Sequence, residues 1–184
     1  MAFSVSQFKS NIASNGGGAR ASLYKVSIKN SINGDLSFSD NEAILIKATN
    51  IPGATIGEEA LMYAGRPIKY TGKRTFENWT TTVTNDENFS IRNKMMEWMR
   101  KIGGQLDGTR TKAHGAYATE AGRYFEGEAI VTQVGKDGED KQKFKLNNIW
   151  PTSIAAMPVD WSADGIQEFS IEWCFDTVVH TFSV

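Results

Sequence analysis

The sequence predicts a mostly β fold, two packed antiparallel sheets forming a β-barrel or sandwich, with one flanking α-helix and extended loops. Three observations carry this reading. Apolar and polar residues alternate with a period of two in several short runs. The clearest run places Phe169, Ile171, Trp173 and Phe175 on one face and Glu168, Ser170, Glu172 and Asp176 on the other. Turn residues separate the runs, as at Asn33-Gly34, Ala64-Gly65 and residues 136–140. One substantial helix is expected: Ile91, Met95, Trp98, Met99 and Ile102 form a single apolar stripe on a helix of about four turns.

Along the chain, residues 1–20 read as an arm and 21–184 as one β-barrel domain. Val5, Phe8 and Ile12 sit at helical spacing in the arm, and Gly16-Gly17-Gly18 ends any regular structure there. From Leu23 the period becomes two, with Tyr24, Val26 and Ile28 opposed to Lys25, Ser27 and Lys29. Asn33-Gly34 predicts a hairpin, because both residues tolerate positive φ. A second strand is expected over 43–48, closed by Ile51-Pro52-Gly53. A pair over 55–62 and 67–71 turns at Ala64-Gly65, and 76–84 is a further strand. On it Trp79, Thr81 and Val83 oppose Asn78, Thr80, Thr82 and Thr84. Acidic residues among Asn85-Asp86-Glu87-Asn88 suit the positive end of the helix dipole, and Gly103-Gly104 ends the helix. Residues 105–122 form a long polar loop. Strands resume at 123–134 and 141–149, and Trp150-Pro151 is expected to end the latter. The run through Phe175 is expected to be the last strand.

Composition excludes several classes. A chain of 184 residues buries about 70% of its unfolded surface, so it needs no disulfide or metal to fold. The net charge of −1, from 20 basic and 21 acidic residues, argues against a tight nucleic-acid binder. The single cysteine, Cys174, excludes an internal disulfide framework and a cysteine-based zinc site. No apolar run reaches the ~18 residues of a membrane span, so no membrane insertion by this chain is expected. The start lacks the continuous apolar core of a secretory signal.

No set of residues points to catalysis, so the expectation is no enzyme, no cofactor and no metal. His114 and His180 lack metal-ligand spacing. Cys174 has no adjacent base and reads as a filler on a strand. Gly65 and Gly72, followed by Lys73-Arg74, mimic a phosphate loop, but six residues separate the glycines instead of four and no helix follows. Glu126 with Glu128 and Glu168 with Glu172 are acids on common strand faces; without a sugar cleft they read as wet faces. Arg92, Lys94, Arg100 and Lys101 read as a solvated helix face, with a docking patch for an outer partner as the alternative.

Several segments resemble one family in a fixed order. Ala19-Arg20-Ala21-Ser22-Leu23-Tyr24 enters the first strand, and Lys47-Ala48-Thr49-Asn50-Ile51-Pro52-Gly53 forms a turn. Arg74-Thr75-Phe76-Glu77-Asn78-Trp79-Thr80 runs on into Asn85-Asp86-Glu87 and the helix. Trp150-Pro151-Thr152, Asp160-Trp161 and Ile166-Gln167-Glu168-Phe169 follow. Over residues 19–178 the chain resembles the tail tube proteins of contractile-tailed bacteriophages, related to type VI secretion tube proteins. The glycine-rich arm and the long 105–122 loop depart from the pattern. The resemblance implies a structural subunit that forms hexameric rings stacked into a hollow tube. Its implied partners are further copies of itself, a tail sheath protein, and baseplate and tail terminator proteins. Double-stranded DNA would pass through in transit, and the place would be the virion tail, assembled in the host bacterial cytoplasm. A secretion or injection machine of similar fold, or a soluble ligand-binding barrel, are the alternatives.

A DNA conduit needs a polar, neutral or acidic wall, because each lysine or arginine that neutralised a phosphate would add affinity. Asn78, Thr80, Thr82, Thr84, Glu168, Ser170 and Glu172 are therefore the candidate lumen residues, with ordinary solvent faces as the alternative. The basic faces at Lys25, Lys29, Lys143 and Lys145 suit the outside. The hairpin over 51–70 carries Ile56, Glu58, Glu59, Leu61 and Met62 as candidate contacts between stacked rings, unless its apolar residues simply cover the core.

Overall fold

A computed structural model describes residues 4–14, 16–30, 34–103 and 127–182. The alternating runs become strands β1 (Tyr24–Asn30), β2 (Ile46–Thr49), β3 (Thr55–Tyr63), β4 (Arg66–Thr75), β5 (Trp79–Thr84), β6 (Gly127–Val134), β7 (Asp140–Ile154), β8 (Glu168–Cys174) and β9 (Thr177–Phe182). The helices are α1 (Val5–Ser14), α2 (Asp40–Ile44) and α3 (Ser90–Gly103).

The long strand β7 builds two layers from one hydrogen-bonded path. Its first part pairs with β6 on one side and β9 on the other, giving layer one, β1-β6-β7-β9. Its last part, residues 150–154, pairs with β8, giving layer two, β2-β5-β8-β7. Asn148 marks the change of layer. It takes φ 55°, interrupts the β6–β7 register and donates to Asp176 at 2.8 Å. A residue out of register bends a strand in this way and lets it turn a corner between sheets. The result is sandwich-like and not a closed barrel. Where β1 and β2 would meet, the Tyr24 hydroxyl donates to the Ile46 carbonyl at 2.8 Å. Burial pushes the Tyr24 phenol pKa up, so it stays a donor.

The inward residues of both layers form the core. Val26, Ile28, Ala129, Val131, Phe144 and Leu146 come from layer one; Ile46, Trp79, Val83, Phe169, Ile171 and Trp173 come from layer two. The apolar stripe of α3 completes it. Ile91, Met95 and Trp98 are fully buried, and Met99 and Ile102 are half-buried. Trp98 stands edge-on to Trp173 with centroids 5.7 Å apart, and Trp79 lies 6.1 Å from the same ring. The Trp173 indole donates to the Thr81 hydroxyl at 2.9 Å, which satisfies both polar groups of an otherwise apolar contact. Gly127 is required here: a Cβ would stand 2.5 Å from the Lys29 carbonyl oxygen and 2.8 Å from the Trp98 ring.

Several local expectations need correction. The strand expected over 43–48 starts only at Ile46, because residues 40–44 form α2 under a capping box between Ser39 and Glu42. The hairpin expected at Asn33-Gly34 does not pair β1 with β2. β1 pairs with β6, and Gly34–Leu36 is a short 3-10 turn that sinks Leu36 into the core; Asn33 lies outside the described residues. Trp150-Pro151 does not end β7, which runs to Ile154. The missing N–H of Pro151 is tolerated because this half of β7 is an edge. The run ending near Phe175 is followed by another strand, β9. The 105–122 loop, Gly104, His114 and residues 123–126 with Glu126 lie outside the described residues.

Candidate assembly surfaces

The two polar faces read separately from sequence are one surface. β5 and β8 are antiparallel neighbours with Thr80 opposite Glu172, Thr82 opposite Ser170 and Thr84 opposite Glu168. The Thr82 and Ser170 hydroxyls stand 3.4 Å apart. Asn78 is exposed just before β5. The neighbouring strands add Ala48 opposite Thr82 and Ser153 opposite Glu172. Lys47, unforeseen in the sequence, reaches across from β2 to Glu168 at 2.6 Å. Two glutamates therefore face one lysine among small hydroxylated side chains.

The outward face of layer one is charged and paired. Asp140 binds Lys143 at 3.0 Å and Lys25 at 3.4 Å, and Glu128 binds Lys145 at 2.5 Å. Hydrogen bonds from Lys143 and then Lys25 outweigh desolvation and hold the Asp140 carboxyl below its ordinary range. The basic residues of α3 are likewise occupied. Lys94 binds Glu42 at 2.7 Å, Arg100 binds Glu97 at 2.6 Å, Lys101 lies 3.9 Å from Glu97, and Arg92 donates to the Ala155 carbonyl at 3.2 Å.

β3 and β4 form a long two-stranded sheet of their own, joined through Ala64 and Gly65 at φ 48° and 79°. Every residue of β3 is exposed. The register sorts its faces. Leu61 opposes Ile68, Glu59 opposes Tyr70 and Tyr63 opposes Arg66 on one side; Met62 opposes Pro67 and Glu58 opposes Thr71 on the other. The expected contacts Leu61 and Met62 thus point opposite ways. Tyr63, Ile68 and Tyr70, missed from sequence, extend the Leu61 face into an apolar stripe. The alternation of Ile68 and Tyr70 was the available signal. Lys69 binds Glu58 at 2.9 Å, and Ile56 stands near the hairpin base opposite Arg74. The segment resembling a phosphate loop is simply β4, with Gly72 packed against the Gly57 carbonyl.

Layer edges define two unlike flanks. One carries β1 and β2 with α2 between them; the other carries β9 and the last part of β7. No catalytic constellation accompanies these surfaces among the described residues. There, no three His, Cys, Asp or Glu converge as metal ligands, and no described helix is long and apolar enough to cross a membrane. Burial pushes the half-buried Cys174 thiol up, which disfavours a thiolate. His180 lies on β9 with its ring edge-on to Phe144 at 4.8 Å.

The fold is similar to that of chains in solved contractile injection systems. The fold overlays the tube-terminating cap of the anti-feeding prophage with a TM-score of 0.63 over 90% of this chain and 92% of that one, at 13% identity. A chain of the sheath–tube complex of an extracellular contractile injection system matches with a TM-score of 0.53 over 99% of this chain and 100% of that one, at 14% identity. At sequence level, residues 4–181 match the family described as phage tail tube protein, and the chain belongs to that family. It is 28% identical to the tail tube protein gp19 of Enterobacteria phage T4 over 160 residues, 86% of this chain and 89% of that protein. It is 25% identical to the tail tube protein of Serratia phage KSP90 over 170 residues, 91% and 92% of the two chains.

Proposed function

We propose that this tail tube protein closes hexameric rings flank to flank, with layer two facing the channel, and that the β3–β4 hairpin joins one ring to the next. The observation that carries the reading is the complementarity of the two flanks. Strand directions alternate through both layers. Placing the β7 edge of one subunit beside β2 of the next continues layer two antiparallel, and β9 beside β1 does the same for layer one. Unpaired N–H and C=O groups on such edges pair readily with another chain. A head-to-tail contact that closes gives a ring, and stacking gives an open filament.

The channel wall would then consist of Asn78, Thr80, Thr82, Thr84, Glu168, Ser170 and Glu172, with Lys47 neutralised by Glu168. Such a wall gives the phosphates of passing double-stranded DNA few free cations to bind. The paired charges of layer one would face the sheath, and the ends of the tube would meet the baseplate and the terminator. Assembly would take place in the host cytoplasm, and the finished tube would reside in the virion tail.

The test is Glu168→Lys with Glu172→Lys in the assembled phage. It turns two negative charges per subunit into two positive ones. Normal-looking tails with DNA delivery impaired, most severely at low salt where phosphate attraction is least screened, are expected. Intact tails that carry both lysines and deliver normally at low salt would place this face away from the channel. The doubly neutral Glu168→Gln, Glu172→Gln phage should deliver normally.

A further inference from the structure

The loop over residues 155–167 carries three highly exposed large apolar side chains, two of them the most exposed of that kind among the described residues. Trp161 is 107% exposed, Val159 84% and Ile166 78%. A tryptophan so placed is the side chain most often found as a buried anchor at an interface. Asp160 is held by its own turn, accepting from the Ser162 backbone N–H at 2.9 Å and hydroxyl at 2.8 Å, so Trp161 is presented by an ordered bend. The loop contains Asp160 and Asp164 and no basic residue.

A cleft of about 660 Å³ lies on the opposite flank, between α2, β1 and β2. Tyr24, Val26, Ala43, Ile44 and Ile46 give it an apolar lining, and Ile44 is 79% exposed. Its charged residues are Lys25, Lys47 and Asp40, and within the subunit Lys25 is already paired with Asp140 and Lys47 with Glu168, so what the cleft offers a neighbour is an apolar seat. The volume is in the range that takes a ring system.

Sheet register relates loop and cleft. β7 ends at Ile154 beside Ile171, β8 starts at Glu168 beside Thr84, and β2 starts at Ile46 beside Val83. All three ends share one rim of layer two. When the β7 edge of one subunit meets the β2 edge of the next, the loop after β7 arrives at the rim where the neighbour's cleft opens. We infer that Trp161 of each subunit seats in the cleft between α2, β1 and β2 of its ring neighbour. The inference rests on the flank-to-flank ring described above. The occupant is a second copy of this chain, because the exposed apolar loop of one flank and the apolar cleft of the other lie on the shared rim.

The test uses full-length protein with Cys174→Ala, assembled into tubes and treated with a short bis-maleimide. Ile44→Cys combined with Trp161→Cys should give a ladder of linked subunits that stops at the ring size, and neither substitution alone should give one. Ala48→Cys with Thr152→Cys reports the strand seam independently. A linked seam without a linked Ile44–Trp161 pair overturns the inference and leaves the ring intact; neither pair linking overturns both. A ladder running past the ring size places Trp161 between rings and also overturns it. Should the cysteine variants fail to assemble, hydroxyl-radical footprinting of the unaltered protein decides. Oxidation of Trp161 should be lost on going from monomer to tube, and persistence refutes the contact. Trp161→Ala should weaken lateral association roughly 30-fold, as loss of an anchoring tryptophan does, while leaving monomer melting unchanged.

Discussion

Trp98→Ala removes the largest side chain that α3 contributes to the core. Trp98 has no exposed surface, stands edge-on to Trp173 at 5.7 Å and touches the space kept open by Gly127. Deleting a buried aromatic costs about 3–5 kcal/mol, combining lost transfer energy with an unfilled cavity. Neither layer can collapse onto that cavity, because Trp173 is held by its hydrogen bond to Thr81. For a domain of this size each kcal/mol lowers the melting temperature by about 2–4 °C, so the expected drop is roughly 6–20 °C. Thermal unfolding of the unassembled subunit, followed by circular dichroism, measures it. The soluble yield should fall as well. Met96→Ala on the exposed side of the same helix is the control and should shift melting by no more than about 2 °C. A soluble Trp98→Ala protein that melts like the control would refute the placement of α3 against the core.

Three further outcomes follow from the geometry. Thr81→Val keeps the shape of the side chain but leaves the buried Trp173 N–H without its acceptor; a loss of about 1–3 kcal/mol in chemical denaturation is expected, and no loss would remove that bond from the account. Deleting residues 57–66 should leave a subunit with wild-type melting that forms no long tubes, since β3 is exposed throughout; tubes of normal length would exclude the hairpin as a stacking element. At Glu42, burial favours the neutral acid, but hydrogen bonds from Lys94 and Ser39 outweigh it and hold the carboxyl below its ordinary value of 4.5. A depressed folded pKa gives stability that is present above 4.5 and lost as pH falls through the folded value. Glu42→Gln should therefore melt below the unaltered protein at pH 7, with the gap narrowing as pH falls below 4.5, and a gap that does not change with pH would contradict the Lys94 contact.

Elements with a strong one-dimensional period are legible in the sequence itself. The β5 and β8 faces, the α3 stripe and the Ala64-Gly65 hairpin depend on spacing within a few residues. Partner choice is not legible there: β1 is joined to β6 by contacts far along the chain, Tyr24 with Gln133 among them, and an Asn-Gly pair signals only a local turn. α2 is too short to show a period, although Ser39-x-x-Glu42 is a capping-box pattern. The passage of β7 through Pro151 depends on its lying at an edge, a property of the sheet and not of the run. The candidate surfaces divide the same way. Polar faces are readable strand by strand, but their union into one surface, the Lys47–Glu168 bridge and the Leu61, Ile68 and Tyr70 stripe require the register.

The central claim is that layer two lines a channel built by joining unlike flanks. A cryo-electron microscopy reconstruction of tubes assembled from the purified protein tests it most directly. The account predicts hexameric rings in which β7 of each subunit pairs antiparallel with β2 of the next, with Thr80, Thr82, Glu168 and Glu172 on the inner surface. Tubes with Lys25, Lys143 and Lys145 of layer one facing the channel, or rings whose β2 and β7 edges remain apart, would contradict it.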